Sequence, residues 1–439
     1  MQKYFKKYSH LFEGTDLALN ENTIRIADDI TESLRSYLQS KKPASVLLVE
    51  DTNTRKAMGY KAEKILEDIG LSFSVFCFPD SGEDLLPSDK NLDLLKVRVK
   101  KGQLIMAVGS GTLNDLSRYT AFKAGLELLS IGTAPSMDGY ASSVCPLIIG
   151  NYKSALPAKT ASAVFAEIPV IAAAPRKMVS AGIGDLIGKF TARLDWELAG
   201  IYTEESVNCN LTAMIETELN DYFKEFQDDF FSGSSCRSLL KLLILSGLAI
   251  AVHGDSRPAS GSEHIVGHVM EMLGHWGITR HYLHGEAVAL GTWVIISLYE
   301  KVIGMELNEI LKFKKNDLPS RPEILKTVFP GYAEKYIKAK KEKEGKKEVL
   351  SRKILQSPGL WDEYRKSQTI DSTYLNNLAA IYKKAEIPLN LSEYGLTKKE
   401  MINIVIGAEA TRDRFTILEF LDAAGCLEGA VSWIIDQLF

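Results

Sequence analysis

The sequence predicts an α/β, Rossmann-like N-terminal domain over residues 1–170 and an all-α C-terminal domain over residues 171–439. Three observations predict this. Short apolar runs alternate with helical periodicity through the first third of the chain. Two of those runs end in glycine-bearing polar loops. After about Val170 apolar residues recur at helical spacing almost to the end, and strand signals nearly vanish. A chain of 439 residues is too long for one ordinary domain and suits two.

Ser45–Val49 is a short β-branched apolar run, and a helix is expected from about Lys56 to Ile69, with Met58, Ala62, Ile65 and Leu66 on its apolar face. Gly70 closes that helix, as a C-terminal glycine should. Phe73–Phe78 reads as a second strand, Leu92–Val99 as a helix and Leu104–Val108 as a third strand, apolar throughout. Ser117–Gly125 gives another helix and Leu128–Ile131 a fourth strand. Continuous apolar strands suit a parallel sheet covered on both faces, and the βαβ order argues for an open sheet. In the second domain the clearest helices are Asp185–Ala199, Ser235–Val252, Ser262–Leu273, Gly285–Tyr299, Lys398–Thr411 and Phe415–Phe420. The Tyr332–Tyr364 stretch is dense in lysine and glutamate, and its simplest reading is a solvated helical face or hairpin insertion.

Composition excludes several classes. Hydrophobic residues are 46% and charged residues 25% of the chain, the balance of a soluble globular protein. A net charge of -4 gives no basic surface for nucleic acid. No apolar run follows the N-terminus, so no leader is expected. The most apolar stretch, Leu239–Val252, contains Lys241 and falls short of the roughly 20 residues a spanning helix needs, so a core helix is expected and no membrane span. Five scattered cysteines without a CxxC pair suggest reduced thiols and a cytoplasmic location.

Two loops carry a nucleotide signal. The third strand runs into Gly109-Ser110-Gly111-Thr112-Leu113-Asn114-Asp115 before a helix. Glycines there let a phosphate approach the backbone, and the helix N-terminus offers N–H groups and a positive dipole end. The fourth strand ends in Gly132-Thr133-Ala134-Pro135-Ser136-Met137-Asp138-Gly139-Tyr140-Ala141-Ser142. Adjacent strand ends of such a sheet share one crevice. Asp51, after the first strand, faces the same edge and suits either a ribose hydroxyl or a helix cap.

The metal signal is stronger. Ser262-Glu263-His264-Ile265-Val266-Gly267-His268 places two imidazoles on one helical face. His281-Tyr282-Leu283-His284-Gly285-Glu286 follows, and Ala181-Gly182-Ile183-Gly184-Asp185 precedes, with Asp185 read as beginning a helix. Six of the seven histidines fall between His253 and His284. Two imidazoles and one carboxylate would hold a divalent ion with a position left open. Alone, Asp185 reads as a cap and the HxxxH pair as a surface pair; the conjunction of the three motifs raises the metal reading. His253, His275 and His281 are most simply surface or core residues.

With these motifs the chain resembles the iron-containing alcohol dehydrogenase, glycerol dehydrogenase and dehydroquinate synthase group. The resemblance implies the dehydroquinate synthase-like two-domain fold. Val108–Asp115, Thr133–Gly139, Ser256–His264 and Arg412-Asp413-Arg414-Phe415-Thr416 resemble the branch that acts on glycerol 1-phosphate. That resemblance implies a metal-dependent enzyme reducing dihydroxyacetone phosphate with NAD(P)H. It implies one divalent ion per chain (zinc, nickel or iron) on Asp185, His264 and His284, with Asp185 counted among the catalytic residues. His268 would meet substrate and relay a proton, and Asp138 would lie on the substrate side. Gly109, Gly111, Thr112, Leu113, Asn114, Asp115, Thr133, Ser136 and Ser142 would lie on the dinucleotide, with Asp51 less securely on its ribose. Lys189 and Arg257 are candidates for the substrate phosphate. A homo-oligomer is expected, with a small phosphorylated ketone or polyol as partner. Three alternatives stay open: a plain glycerol dehydrogenase; a dehydroquinate synthase-like lyase, whose first ligand would be Glu rather than Asp185; and a catalytically silent relative.

Overall fold

The computed structural model describes all residues except 16, 81, 83 and 314–317. It separates into two compact units. The first comprises Met1–Leu186 with Asn210–Ser256, and the second Ile187–Cys209 with Arg257–Phe439.

The first unit is built on a six-stranded sheet. Its strands are β1 (Ile24–Ala27), β2 (Ser45–Asp51), β3 (Phe73–Phe78), β4 (Gln103–Gly109), β5 (Glu127–Gly132) and β8 (Ala163–Glu167). The order is β1-β8-β5-β4-β2-β3, and every pair is parallel. The direction of winding reverses between β2 and β4, so the ligand crevice of such a sheet opens at their carboxyl ends. All seven residues of β4 are buried, as expected of a strand covered on both faces. Val46, Leu48, Leu104, Met106, Val108, Leu129, Ile131 and Phe165 pack with Leu34, Leu38, Ala62, Ile65 and Leu66 from flanking helices.

The strands expected from sequence are present with small changes at their ends. The helix expected at Lys56–Ile69 begins earlier, at Thr52, and contains a π turn at Arg55–Gly59. The helix expected at Ser117–Gly125 runs from Gly111 to Ala124, which puts its N-terminus directly on the glycine loop. Three features were not anticipated. β1 and β8 are short, and only Ile24 of β1 is buried. β6 (Val144–Ile149) and β7 (Tyr152–Pro157) form an antiparallel hairpin. Its two-residue turn is Gly150-Asn151, with φ of +56° and +67°, a pairing that favours tight hairpins.

Helices dominate the rest of the chain. The Arg176–Tyr202 helix starts nine residues before Asp185, so Asp185 does not begin a helix as the sequence suggested. Gly182 and Gly184 resemble a helix start in sequence, but Gly182 serves packing: a Cβ there would overlap the carbonyl oxygen of Pro135. The Gly233–His253 helix is long and apolar enough to cross a membrane, but most of its side chains are buried within the protein. It belongs with the sheet rather than after a single cut at residue 170, because Gly247 lets it press on the Asp138–Ser142 loop. A Cβ there would lie 2.5 Å from the Asp138 carbonyl oxygen and 3.0 Å from the Ser142 nitrogen.

The charged Tyr332–Tyr364 stretch forms the helices Ala333–Glu342, Glu344–Gln356 and part of Pro358–Ser367. It is not merely a solvated face. Tyr336, Ile354, Trp361 and Tyr364 are buried. Lys340 and Lys347 bond to Asp422 at 3.0 and 2.9 Å, and Lys340 also pairs with Glu409.

Candidate active site

In the first unit, the two glycine loops lie side by side. Gly109 pairs in register with Gly132, and the Thr133 N–H donates to the Gly109 carbonyl at 3.2 Å. No side chain caps the Gly111–Ala124 helix, whose N-cap Ser110 is extended. That end therefore fits a pyrophosphate, since its first N–H groups and positive dipole end suit an anion. Gly109 is required for another reason: a Cβ would lie 2.5 Å from Leu113 Cδ1. The Ser110 and Ser136 hydroxyls bond to each other across the two loops.

The neighbouring side chains turn inward. Asn114 Oδ1 accepts from Ser130 at 2.5 Å and its Nδ2 donates to the Gly139 carbonyl at 3.3 Å. Asp115 pairs with Arg118, which sequence reasoning did not single out. Arg118 is buried and donates to the carbonyls of Gly139 and Ser142 and to Cys145 Sγ, so it clamps the second loop from below. The Ser142 hydroxyl closes the turn into β6 through Val144. Asn114, Asp115 and Ser142 thus hold the shape of the loops. Asp51 caps the next helix, accepting from Asn53 and Thr54 N–H at 2.9 and 2.8 Å. Of its two sequence readings, the cap is the one seen.

Asp138 and Asp185 are joined. The Asp138 N–H donates to Asp185 Oδ2 at 2.9 Å, and Ser246 donates to Asp138 Oδ2 at 2.8 Å. Asp185 is fully buried. A carboxylate this deeply buried suits a cation partner.

The second unit brings three histidines together. Ring centroids of His264 and His284 are 5.4 Å apart, and those of His268 and His284 5.6 Å. His264 and His268 lie on the Ser262–His275 helix and His284 opens the His284–Ile303 helix. Their Nδ1 atoms have different partners. His264 Nδ1 lies 2.6 Å from Glu263 Oε1 and His284 Nδ1 lies 3.2 Å from Glu271 Oε2. A carboxylate on Nδ1 holds the proton there and makes Nε2 the acceptor nitrogen, the usual support for a metal-bound histidine. His268 Nδ1 instead lies 2.7 Å from Arg412 Nη2. A guanidinium only donates, so this Nδ1 accepts and the ring's proton is on Nε2. His268 is then a hydrogen-bond donor and a poor ligand.

Glu263 and Asp195 fix this arrangement, and neither was singled out from sequence. Burial would raise the Glu263 pKa, but hydrogen bonds from His264, the Gly261 N–H and Thr191 outweigh it and hold the carboxyl below its ordinary value. Asp195 accepts from the Ser262 N–H and hydroxyl, both at 2.6 Å, from Tyr299 at 2.6 Å and from the Ile417 N–H at 2.7 Å. Burial and the nearby Glu263 push its pKa up to about 6. Gly188 keeps the Arg176–Tyr202 helix against the histidines: a Cβ would lie 3.3 Å from His264 Cε1. Asp185 stands three residues, about one turn, earlier on that helix. Among the described residues two donor sets are able to hold an ion: Asp185, His264 and His284, and His268, Glu271 and His284.

Of the phosphate candidates, Arg257 is held by the Phe415 carbonyl at 2.9 Å and by Glu205. Lys189 is buried.

Comparison with known proteins identifies the family. Residues 25–175 match the family described as iron-containing alcohol dehydrogenase. A glycerol-1-phosphate dehydrogenase [NAD(P)+] of Bacillus licheniformis is 30% identical over 295 residues, which is 66% of this chain and 73% of that protein. An enzyme of the same name from Sulfurisphaera tokodaii is 32% identical over 313 residues, covering 69% of this chain and 83% of its own. The crystal structure of a probable glycerol dehydrogenase from Sinorhizobium meliloti has the same fold, with a TM-score of 0.62 at 15% identity over 95% of this chain and 98% of that one. The chain belongs to the glycerol-1-phosphate dehydrogenases, NAD(P)-dependent oxidoreductases of the iron-containing alcohol dehydrogenase group.

Proposed function

We propose that this chain reduces dihydroxyacetone phosphate to sn-glycerol 1-phosphate, reversibly, with NAD(P)H and one divalent ion held by Asp185, His264 and His284. The observation that carries the reading is the contrast among the three imidazoles. Two have a carboxylate on Nδ1, as ligands should, and the third has an arginine. Zinc, nickel and iron all accept this donor set. When bound, the ion supplies Lewis acidity toward the ketone oxygen and the nicotinamide supplies hydride.

The chain's own residues do the rest. Gly109–Gly111 and the uncapped helix behind them receive the pyrophosphate, with Thr112, Leu113, Thr133 and Ser136 lining the two loops. Arg118 and Asn114 keep those loops in place. Asp51 is open to the ribose through whatever bonding its capping role leaves. His268, held neutral by Arg412, donates from Nε2 toward the oxygen that gains negative charge. Asp138, oriented by Ser246, stands on the substrate side.

The same reading expects a cytoplasmic homodimer, and the free cysteines suit a reducing compartment. The deciding experiment compares kcat/KM for dihydroxyacetone phosphate and dihydroxyacetone. A site built for a phosphate leaves donors unpaired when it is missing, which costs roughly 1–3 kcal/mol, or about tenfold in preference. Equal or better use of the unphosphorylated ketone would instead make the chain a plain polyol dehydrogenase.

A further inference from the structure

Arg412 and Arg414 lie in a short stretch after the helix Lys398–Ala408, and the proposed function uses Arg412 only through its contact with His268. Arg412 is partly accessible and contacts His268 Nδ1 through Nη2 at 2.7 Å. The contact joins a cation to an imidazole that lies in the histidine cluster. Burial and the adjacent Arg414 lower its pKa to about 9, with Glu263 and Glu271 acting in the other direction. A guanidinium placed this way, partly buried and beside another cation, is costly unless an anion joins it.

The stretch is held from behind. Arg414 Nη1 donates to the Ser260 carbonyl at 2.5 Å. Lys343 reaches the Arg412 carbonyl at 3.3 Å and Asp413 at 3.2 Å. Lys340 pairs with Glu409, and Arg321 meets the same carboxylate at 2.9 Å. The lysine-rich helices therefore anchor both ends of a turn whose arginine points to the histidine cluster. Such anchoring pre-organises a planar donor fork, and a fork of this kind matches phosphate oxygens in pairs.

We infer that Arg412 is the residue that binds the substrate's phosphate group, a specificity role that rests on the function proposed above. One guanidinium edge stays on His268 while the remaining N–H donors take the phosphate dianion. The residue then couples recognition of the phosphate to the orientation of the imidazole that meets the ketone.

The test is a ratio. For Arg412→Ala, kcat/KM for dihydroxyacetone phosphate relative to dihydroxyacetone falls about tenfold or more, since a charge-assisted pair is lost from the phosphorylated ketone alone. Inorganic phosphate, used as a competitive inhibitor against either ketone, weakens by a similar factor. Arg412→Lys keeps the charge without the fork and falls between the two. NADH titration of each variant shows that the nucleotide unit is folded, and if Arg412→Ala proves insoluble, Arg412→Lys carries the same comparison. Loss of both ketones by one common factor, with the ratio and phosphate inhibition preserved, overturns the inference and leaves Arg412 as a positioning residue for His268. An unchanged ratio with undiminished rates overturns it as well. A wild-type enzyme without preference for the phosphorylated ketone overturns the parent reading instead; phosphate inhibition then decides the anion site by itself.

Discussion

At the scale of single residues, small side chains decide how closely the loops are held. Gly182 lies in a helix, where alanine would ordinarily add about 1 kcal/mol of stability. Here the added Cβ overlaps the Pro135 carbonyl, so backbone must move. Gly182→Ala should therefore destabilise the chain by about 1–3 kcal/mol and weaken NADH binding, read from urea unfolding and from titration. A stabilised variant with unchanged NADH affinity would show that the loop yields freely. Glu50 makes a second prediction. It is fully buried at the end of β2, with Gly59 of the π turn against its carboxyl. Burial and nearby Glu63 push its pKa up to about 7, against Arg55 at 3.2 Å. The raised pKa means the folded state holds its proton more tightly. Its contribution is present at low pH and is lost as pH rises through about 7. Glu50→Gln should gain in Tm relative to wild type between pH 5 and pH 8; a gap that does not change with pH would contradict this.

At the scale of elements, much was legible and the failures have physical causes. Apolar runs such as Leu104–Val108 are buried on both sides, so their strand character was visible without tertiary context. β8 is short and rich in small residues, and β1 pairs at an edge with little burial, so neither carries a strong pattern. The Gly150-Asn151 turn was readable as a hairpin signal between Ile149 and Tyr152. Asp185 was misread as a helix start because two glycines precede it, yet Gly182 serves close packing inside the helix. The HxxxH pair was visible because its spacing is local, while the ligand roles of Asp185, His264 and His284 came from the family resemblance. Arg118, Asp195 and Ser246 were not visible, because their importance lies in partners far along the chain. The lysine-rich segment shows the same limit. Arg321 bonds Glu409, Asp422 and Glu428 at 2.8–2.9 Å, all of them mostly buried. Arg321→Ala takes the guanidinium from Glu428 and leaves Glu409 and Asp422 to Lys340 and Lys347, and should cost about 1–3 kcal/mol, seen as a lower urea midpoint. A shift within error would show the network to be a solvated face after all.

At the scale of the whole molecule, the proposed function gives the sheet unit the nucleotide and the second unit the histidines. The chemistry divides accordingly among the imidazoles. His264→Ala removes a proposed ligand and should empty the metal site. His268→Ala should retain metal while kcat falls roughly 10²-fold, the scale of losing one donor to a developing oxyanion. Loss of metal from the His268 variant would mean that ligand and donor have been exchanged. The central claim is metal-dependent reduction of a phosphorylated ketone, and one measurement tests it most directly. The chain is stripped by chelation and then titrated with a divalent ion, while NADH and NADPH oxidation by dihydroxyacetone phosphate are followed. The account predicts that turnover vanishes on stripping and returns in proportion to bound ion, reaching its plateau at about one ion per chain. Undiminished turnover in a verified metal-free preparation, or none with either nucleotide after reloading, would contradict it.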